Sequence, residues 1–592
     1  MKEILIRKRL LALCLIGLIS FLVLGCSPSQ NGSPPDGEIP EPEEDIVDDP
    51  IEEDPLTEEE KAQIAYEEAK KEREALEEER KNSLGEFYVP LPDLGSELNA
   101  DRFLAKGLFL TGSTAGNSVD DDKVDIYVDY INALKTGDTA TINQLSGKLS
   151  ELNRLEKIIG IAVATEINAV VIDVKDDNGR MTYRSNIQLV DEVDGNREVR
   201  IKDVKELMVV LEKYDIYPIA RVVAFKDKNF AYARPDHAIQ LLDGGVWHDY
   251  SGTPWVNPFD QYVWDYNIAI AKEAALMGFK EIQFDYVRFP DNAAAYNPIT
   301  NFPGRDGRRK DEAIGDFLEY AMEELKDYGV TIAADVFGII TRTWADSPED
   351  IGQTWLEISP NTDIICPMVY PSHYGANWYG YEVPDAHPYG VIRGSMMEAI
   401  EKNAAVKNEA DIRPWLQDFT ATWVEGYIYY GFNEVRQQII AAKELGIEGY
   451  MIWNPSNVYD PRAYIPTETE KNTQYPLETG DRDYLDRTPA DALQIYLRSE
   501  RNNIYSRVFL LTPIADREDD FDTFYDRMTS LSIELIDYDV LEYQMVSKDQ
   551  AEVTINYQYR LSEENDLSYL EGQSEVWTVI KEKGIWKVVR GI

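Results

Sequence analysis

Between residues 100 and 470, eight short runs rich in β-branched residues alternate with longer stretches whose apolar residues fall at helical spacing. The runs are 107–110, 169–174, 217–224, 281–286, 330–336, 363–370, 412–417 and 449–453. Strands separated by amphipathic helices form parallel sheets, because each crossover helix carries the chain back to start the next strand in the same direction. Gly278, Gly329 and Gly446 stand just before three of the runs, where helices should end. Eight such units predict an α/β fold, a closed (β/α)8 barrel. An open doubly wound sheet is the competing arrangement, but the first run is not followed by a glycine-rich phosphate loop.

In a barrel of this kind the chemistry sits at the C-terminal ends of the strands. Those ends carry Asp173, Arg221, Asp285, Arg288, Asp335, Tyr370, Trp415, Gln417, Asp418 and Trp453. Side chains along a strand alternate between faces. Ile282, Phe284 and Tyr286 therefore share the face toward the helices, and Glu281, Gln283 and Asp285 share the interior. The same parity sends Thr331, Ala333 and Asp335 inward. Two inward carboxylates on neighbouring strands are what glycoside hydrolysis uses, one ionised and one protonated. Arg221 and Arg288 are placed to hold one of them ionised while the other rises. Asp418, at the seventh run, is the third candidate carboxylate. Trp415, Trp453, Tyr370 and Tyr374 offer flat apolar faces suited to sugar rings. Asp173, Arg221, Arg288 and Gln417 complete the predicted substrate contacts. Cys366 lies in an apolar strand and is expected to pack. His373 is the lone histidine at a strand end, and with three Cys and four His in the chain neither a metal centre nor another cofactor is expected.

The flanks differ in kind. Arg7, Lys8 and Arg9 precede an apolar stretch from Leu10 to Leu24, so residues 1–25 read as a secretion signal. Leu22-Val23-Leu24-Gly25-Cys26 resembles a bacterial lipobox, which implies lipidation of Cys26 and an extracytoplasmic protein anchored to the membrane. Residues 27–60 hold 14 acidic residues, no basic ones and seven prolines. Charge repulsion and proline predict an extended tether over 26–60. A charged helical spacer is expected over 57–84, with too few apolar positions to pack firmly. From 485 to 592 a helix beginning at Thr488-Pro489 precedes strand-like runs at 533–546, 551–559, 575–581 and 585–589. This order resembles the cone-shaped nuclear-transport-factor-like domains, so an accessory α+β domain is expected there.

The chain has 108 Asp and Glu against 59 Lys and Arg, a formal charge of −49. Phosphate binding needs a basic surface, so nucleic acid is excluded as a partner.

The octapeptide Gln283-Phe284-Asp285-Tyr286-Val287-Arg288-Phe289-Pro290 carries a further signal. With Ile219–Val223, Trp255-Val256-Asn257-Pro258 and Pro414–Asp418, it resembles a bacterial family of TIM-barrel glycoside hydrolases distantly similar to the alpha-amylase group. The resemblance implies a nucleophile at Asp285, a general acid/base at Asp335 and a charge-stabilising Asp418. In that group the acid is Glu, and Asp335 is one methylene shorter. The expected function is hydrolysis of O-glycosidic bonds in a poly- or oligosaccharide, by two carboxylates and with retention. The alternative is a non-catalytic glycan-binding lipoprotein of the cell envelope. A metal-dependent deacetylase is disfavoured, because no pair of histidines stands at ligand spacing on one element.

Overall fold

In the computed structural model, residues 57–93, 101–342, 347–476, 480–531, 533–563 and 566–590 are described. The signal segment, most of the tether and Cys26 lie outside the described residues. The chain divides after Glu68, and both the barrel and the C-terminal sheet belong to the unit Ala69–Ile592. A helix runs Glu58–Leu84. Beyond the division, its Arg73 pairs with Glu77, which accepts a hydrogen bond from Leu91 N at 2.8 Å.

Eight parallel strands close into a barrel. They are β1 Lys106–Leu110, β2 Ala169–Lys175, β3 Tyr217–Val223, β4 Glu281–Asp285, β5 Thr331–Phe337, β6 Ile364–Met368, β7 in two pieces (Asp411–Ile412 and Trp415–Gln417) and β8 Tyr450–Trp453. Each pairs with its sequence neighbours, and β8 closes on β1 through Lys106–Tyr450, Gly107–Met451 and Leu108–Ile452. The break in β7 falls at Pro414, which has no N–H to donate to the ladder. Gly278 and Gly329 end the helices before β4 and β5 with φ of 111° and 63°, the left-handed conformation that glycine reaches without steric cost.

Period two along the strands sorts the apolar residues into two cores. Leu108, Val170, Ile172, Ile282, Phe284, Ile332, Leu416 and Ile452 face outward into the main core under the helices. Phe109, Ala169, Val171, Ile219, Ala333, Cys366, Trp415 and Met451 form a separate cluster inside the barrel. At the N-terminal end of the interior, buried Glu281 is paired with buried Arg413. Cys366 is wholly buried there, and burial pushes its thiol upward.

The C-terminal region is an antiparallel sheet of β9 Ile533–Ser547, β10 Gln550–Glu563, β11 Asp566–Glu582 and β12 Ile585–Val589. The helix Pro489–Arg501 packs on it. Its start is fixed by a capping box, in which Thr488 Oγ1 accepts from Asp491 N at 3.2 Å and Asp491 accepts from Thr488 N at 2.9 Å. Leu493, Tyr496 and Leu497 on its buried face meet Val553, Ile555, Trp577 and Val588, and fully burying such side chains contributes about 1.5–3 kcal/mol each. The barrel holds this domain through Glu401, near the end of the helix Pro388–Asn403. Arg487 donates to Glu401 at 2.7 Å and Arg507 lies 3.5 Å away. Burial would push the Glu401 carboxyl up, but the two guanidiniums outweigh it and hold it below its usual range.

Candidate active site

The loops after β4, β5 and β6 surround a cavity of about 490 Å³ at the C-terminal mouth of the barrel. Its floor is built by the inward residues of neighbouring strands. The β3–β4 register sets Val223 beside Asp285 and Arg221 beside Gln283, and β2 sets Asp173 beside Arg221.

Arg221, 7% exposed, organises the floor. Its Nε and Nη2 donate to Asp285 Oδ2 at 2.9 and 2.5 Å, and its Nη1 donates to Asp173 Oδ1 at 2.5 Å. Two N–H groups of one guanidinium thus converge on a single carboxylate oxygen and hold it in place. The other oxygen of Asp285 accepts from the backbone N–H of Tyr286 at 2.6 Å. Tyr286 has a φ of 50°, a left-handed conformation that a bulky residue adopts only when its surroundings impose it. The chain thus turns sharply right after Asp285 and aims an N–H back at its carboxylate.

Asp335 is treated differently. It is 1% exposed, and burial together with the charge of Asp285 pushes its carboxyl well above the usual range. Trp415 Nε1 and Gln283 Nε2 both donate to Oδ1, at 2.6 and 2.5 Å, and these bonds and Arg221 oppose the rise without cancelling it. The Trp415 indole N–H can only donate, so Oδ1 is held as an acceptor and the proton of a neutral Asp335 is favoured on Oδ2. One carboxyl in the cavity is ion-paired and the other is pushed toward its neutral form, the contrast that an acid and a nucleophile require.

The remaining predicted residues separate into those that line the cavity and those that do not. Arg288 lines it, but it serves the loop rather than either carboxylate, donating to Phe289 O and to Asp291, each at 2.8 Å, with Phe337 4.4 Å beneath its guanidinium. Tyr370, Trp415 and Trp453 line the cavity, and Trp453 is stacked on Phe109 with centroids 4.1 Å apart. Asp173 is joined to the site through Arg221 and is not part of the lining; burial raises its carboxyl against the pull of Arg221.

Asp418 and Gln417 depart from the expectation. Gln417 continues the inward parity of Trp415, but its amide is consumed by the loops. It donates to Asp385 at 3.1 Å and to Phe419 O at 3.0 Å, and accepts from Ser372 N at 3.1 Å. Asp418, one residue on, falls on the opposite face and does not line the cavity. Tyr464 Oη donates to it at 3.2 Å, and burial raises its carboxyl to about 7. A glutamine occupies the inward position at the end of β7, so the third carboxylate is absent from this floor.

Gln283, Tyr286, Phe337 and Met368 were not among the predicted site residues. Gln283 was within reach of the parity argument, which already put it on the inner face between Glu281 and Asp285. The backbone turn at Tyr286 and the loop residue Trp378 gave no periodic signal. Among the described residues, no group of three or more His, Cys, Asp or Glu side chains is placed to hold a metal ion.

A family model described as "Putative glycosyl hydrolase domain" matches residues 145–459. The chain belongs to this family. The match spans β2 to β8 and includes Arg221, Asp285 and Asp335. Similar solved structures include a hypothetical protein from Ruminiclostridium thermocellum ATCC 27405, 34% identical over 39% of this chain and 97% of that one, with a TM-score of 0.30. The glycoside hydrolase domain of PgaB (BpsB) from Bordetella bronchiseptica is 14% identical over 60% of this chain and 95% of its own, with a TM-score of 0.39. An alpha-galactosidase from Thermus thermophilus is 10% identical over 77% and 66%, with a TM-score of 0.34. No curated protein sequence matches the chain.

Proposed function

We propose that this member of the glycosyl hydrolase family cleaves O-glycosidic bonds of a poly- or oligosaccharide outside the cytoplasm. The observation that carries the reading is the contrast between Asp285, ion-paired to Arg221, and Asp335, raised by burial in the same cavity. An Asp285 oxygen attacks the anomeric carbon as the bond to the leaving oxygen breaks, and the Oδ2 proton of Asp335 passes to that oxygen. Asp335 then takes a proton from water, the hydroxyl goes to the anomeric carbon, and Asp285 is released. Two displacements at one carbon retain its configuration. Trp453 and Tyr370 supply the sugar faces, Arg221 pairs with Asp285 and holds it in position, and Asp418 has no part in the chemistry.

The large negative charge favours a neutral or basic glycan over an acidic one. The lipobox-like Leu22–Cys26 supports anchoring through a lipid on Cys26, beyond the acidic tether. The order of helices and antiparallel strands in the C-terminal domain supports a nuclear-transport-factor-like cone.

Reducing-sugar release from a glycan panel by the wild type and by Asp285→Asn tests the reaction. A 2-deoxy-2-fluoro glycoside should add its glycosyl mass to the peptide bearing Asp285. Unchanged release by Asp285→Asn would overturn the nucleophile assignment, and tight binding without turnover of any glycan would make the protein a receptor. Metabolic labelling with radioactive palmitate should mark the wild type and not Cys26→Ser; an unlabelled wild type would refute the lipid anchor.

A further inference from the structure

We propose that the loop after β7 carries a distal sugar platform at Trp423, so that the site takes a neutral glycan several units long. This rests on the hydrolase reading and extends it from the reacting sugar to the chain around it.

Trp423 is 68% exposed. Single exposed apolar residues are ordinary on protein surfaces, so exposure alone decides nothing. What distinguishes Trp423 is its connection to the cavity. Its ring lies nearly parallel to Phe419, at 6.1 Å and 19°, and Phe419 meets the cavity residue Tyr370 edge-on at 5.9 Å and 71°. Phe419 also contacts His373, another lining residue, at 6.4 Å. An aromatic path thus leads outward from the cavity, with centroid steps comparable to the length of a pyranose unit. Phe419 lies beside the indole in a near-parallel, offset arrangement, and most of the Trp423 side chain remains open to solvent. The apolar C–H face of a neutral pyranose stacks on such a surface without requiring a charge.

The loop is fixed at its base by groups the reaction does not use. Buried Asp385 accepts from Gln417 at 3.1 Å and from Ile428 N at 3.3 Å. Tyr430 Oη donates to Asp385 O at 2.9 Å, and Tyr430 N donates to Thr420 Oγ1 at 3.1 Å. Gln417, expected from the sequence to touch sugar, is therefore a positioning residue for the platform. A surface held in place before binding loses little conformational freedom when ligand arrives.

The test uses the full chain and neutral oligosaccharides of two to six units, from both gluco- and N-acetylglucosamine series, as probes. The ratio of kcat/KM for the longest to the shortest oligomer should fall about fivefold in Trp423→Ala. Trp423→Phe, which keeps a flat face, should recover most of it. A Trp423→Ala length profile that superimposes on the wild type overturns the proposal. If the wild type turns over none of the probes, the hydrolase reading has failed for them, and the platform is judged by fluorescence titration with the longest oligomers. Weaker binding by Trp423→Ala then supports it, and equal or absent binding in both proteins overturns it. Coincident thermal unfolding of variant and wild type is expected for so exposed a ring, and confirms that the comparison concerns folded protein.

Discussion

Replacing Asp418 by Asn separates the chemistry from the scaffold. The carboxyl is half-buried against Tyr464 and Asn454, with the charge of Asp460 nearby, and titrates at about 7 in the folded chain. In the unfolded chain it titrates at about 3.9. Below pH 4 both states are protonated and the group is neutral in its effect. Between about pH 4 and pH 7 the unfolded chain ionises while the folded one resists, so each pH unit removes about 1.4 kcal/mol of stability. Above pH 7 the accumulated loss reaches up to about 4 kcal/mol. Asn has the same shape, can still accept the Tyr464 hydrogen bond, and never ionises. Urea unfolding at pH 4 and pH 8 should show near-equal stability at the lower pH and a more stable Asn variant at the higher one. Activity should stay within about twofold, because the side chain lies on the far face of β7 from the cavity. Equal stability at pH 8 would refute the burial argument. A loss of activity beyond about tenfold would return Asp418 to the active site.

Asp335→Asn should lower kcat by roughly 10²–10⁴, the usual contribution of a general acid; a leaving group that needs no protonation, such as dinitrophenolate, should restore the first displacement. Arg221→Met leaves Asp173 and Asp285 without their cation and should cost about 3–5 kcal/mol at pH 7. That deficit should shrink as acid protonates the carboxyls, and a pH-independent deficit would contradict the ion-pair account. Glu401→Gln should destabilise the junction by about 3 kcal/mol at pH 7. Because the Glu401 carboxyl is held below its unfolded value, its contribution is lost as pH falls, and variant and wild type should converge in urea titrations below about pH 4.

The barrel was legible because its information is periodic. Alternation along β4 and β5 needs only the residue types, and it placed Asp285 and Asp335 on the inner face before any contact was known. The same rule, carried one residue past Gln417, would have turned Asp418 away. Placing it by analogy with a strand-seven aspartate in related barrels overrode that parity. Arg221 lies within β3 and Arg288 in the loop after β4, and that only the first reaches across to Asp285 showed itself in three dimensions. Asp385 and Trp423 lie in loops, where position follows from hydrogen bonds formed between segments distant in sequence. No local pattern records that Gln417 and Asp385 will meet.

The helix Pro388–Asn403 begins just after Asp385 and holds Glu401 near its other end. A single rigid rod therefore joins the mouth of the barrel to the C-terminal sheet, one end steadying the loop of Trp423 and the other neutralised by Arg487 and Arg507. Cutting the chain near residue 470 would strip that rod of both its cations and strand a buried acid. The barrel is thus not a portable cassette: truncation or exchange of the C-terminal domain acts on a helix whose other end adjoins Asp385 and the loop base it holds.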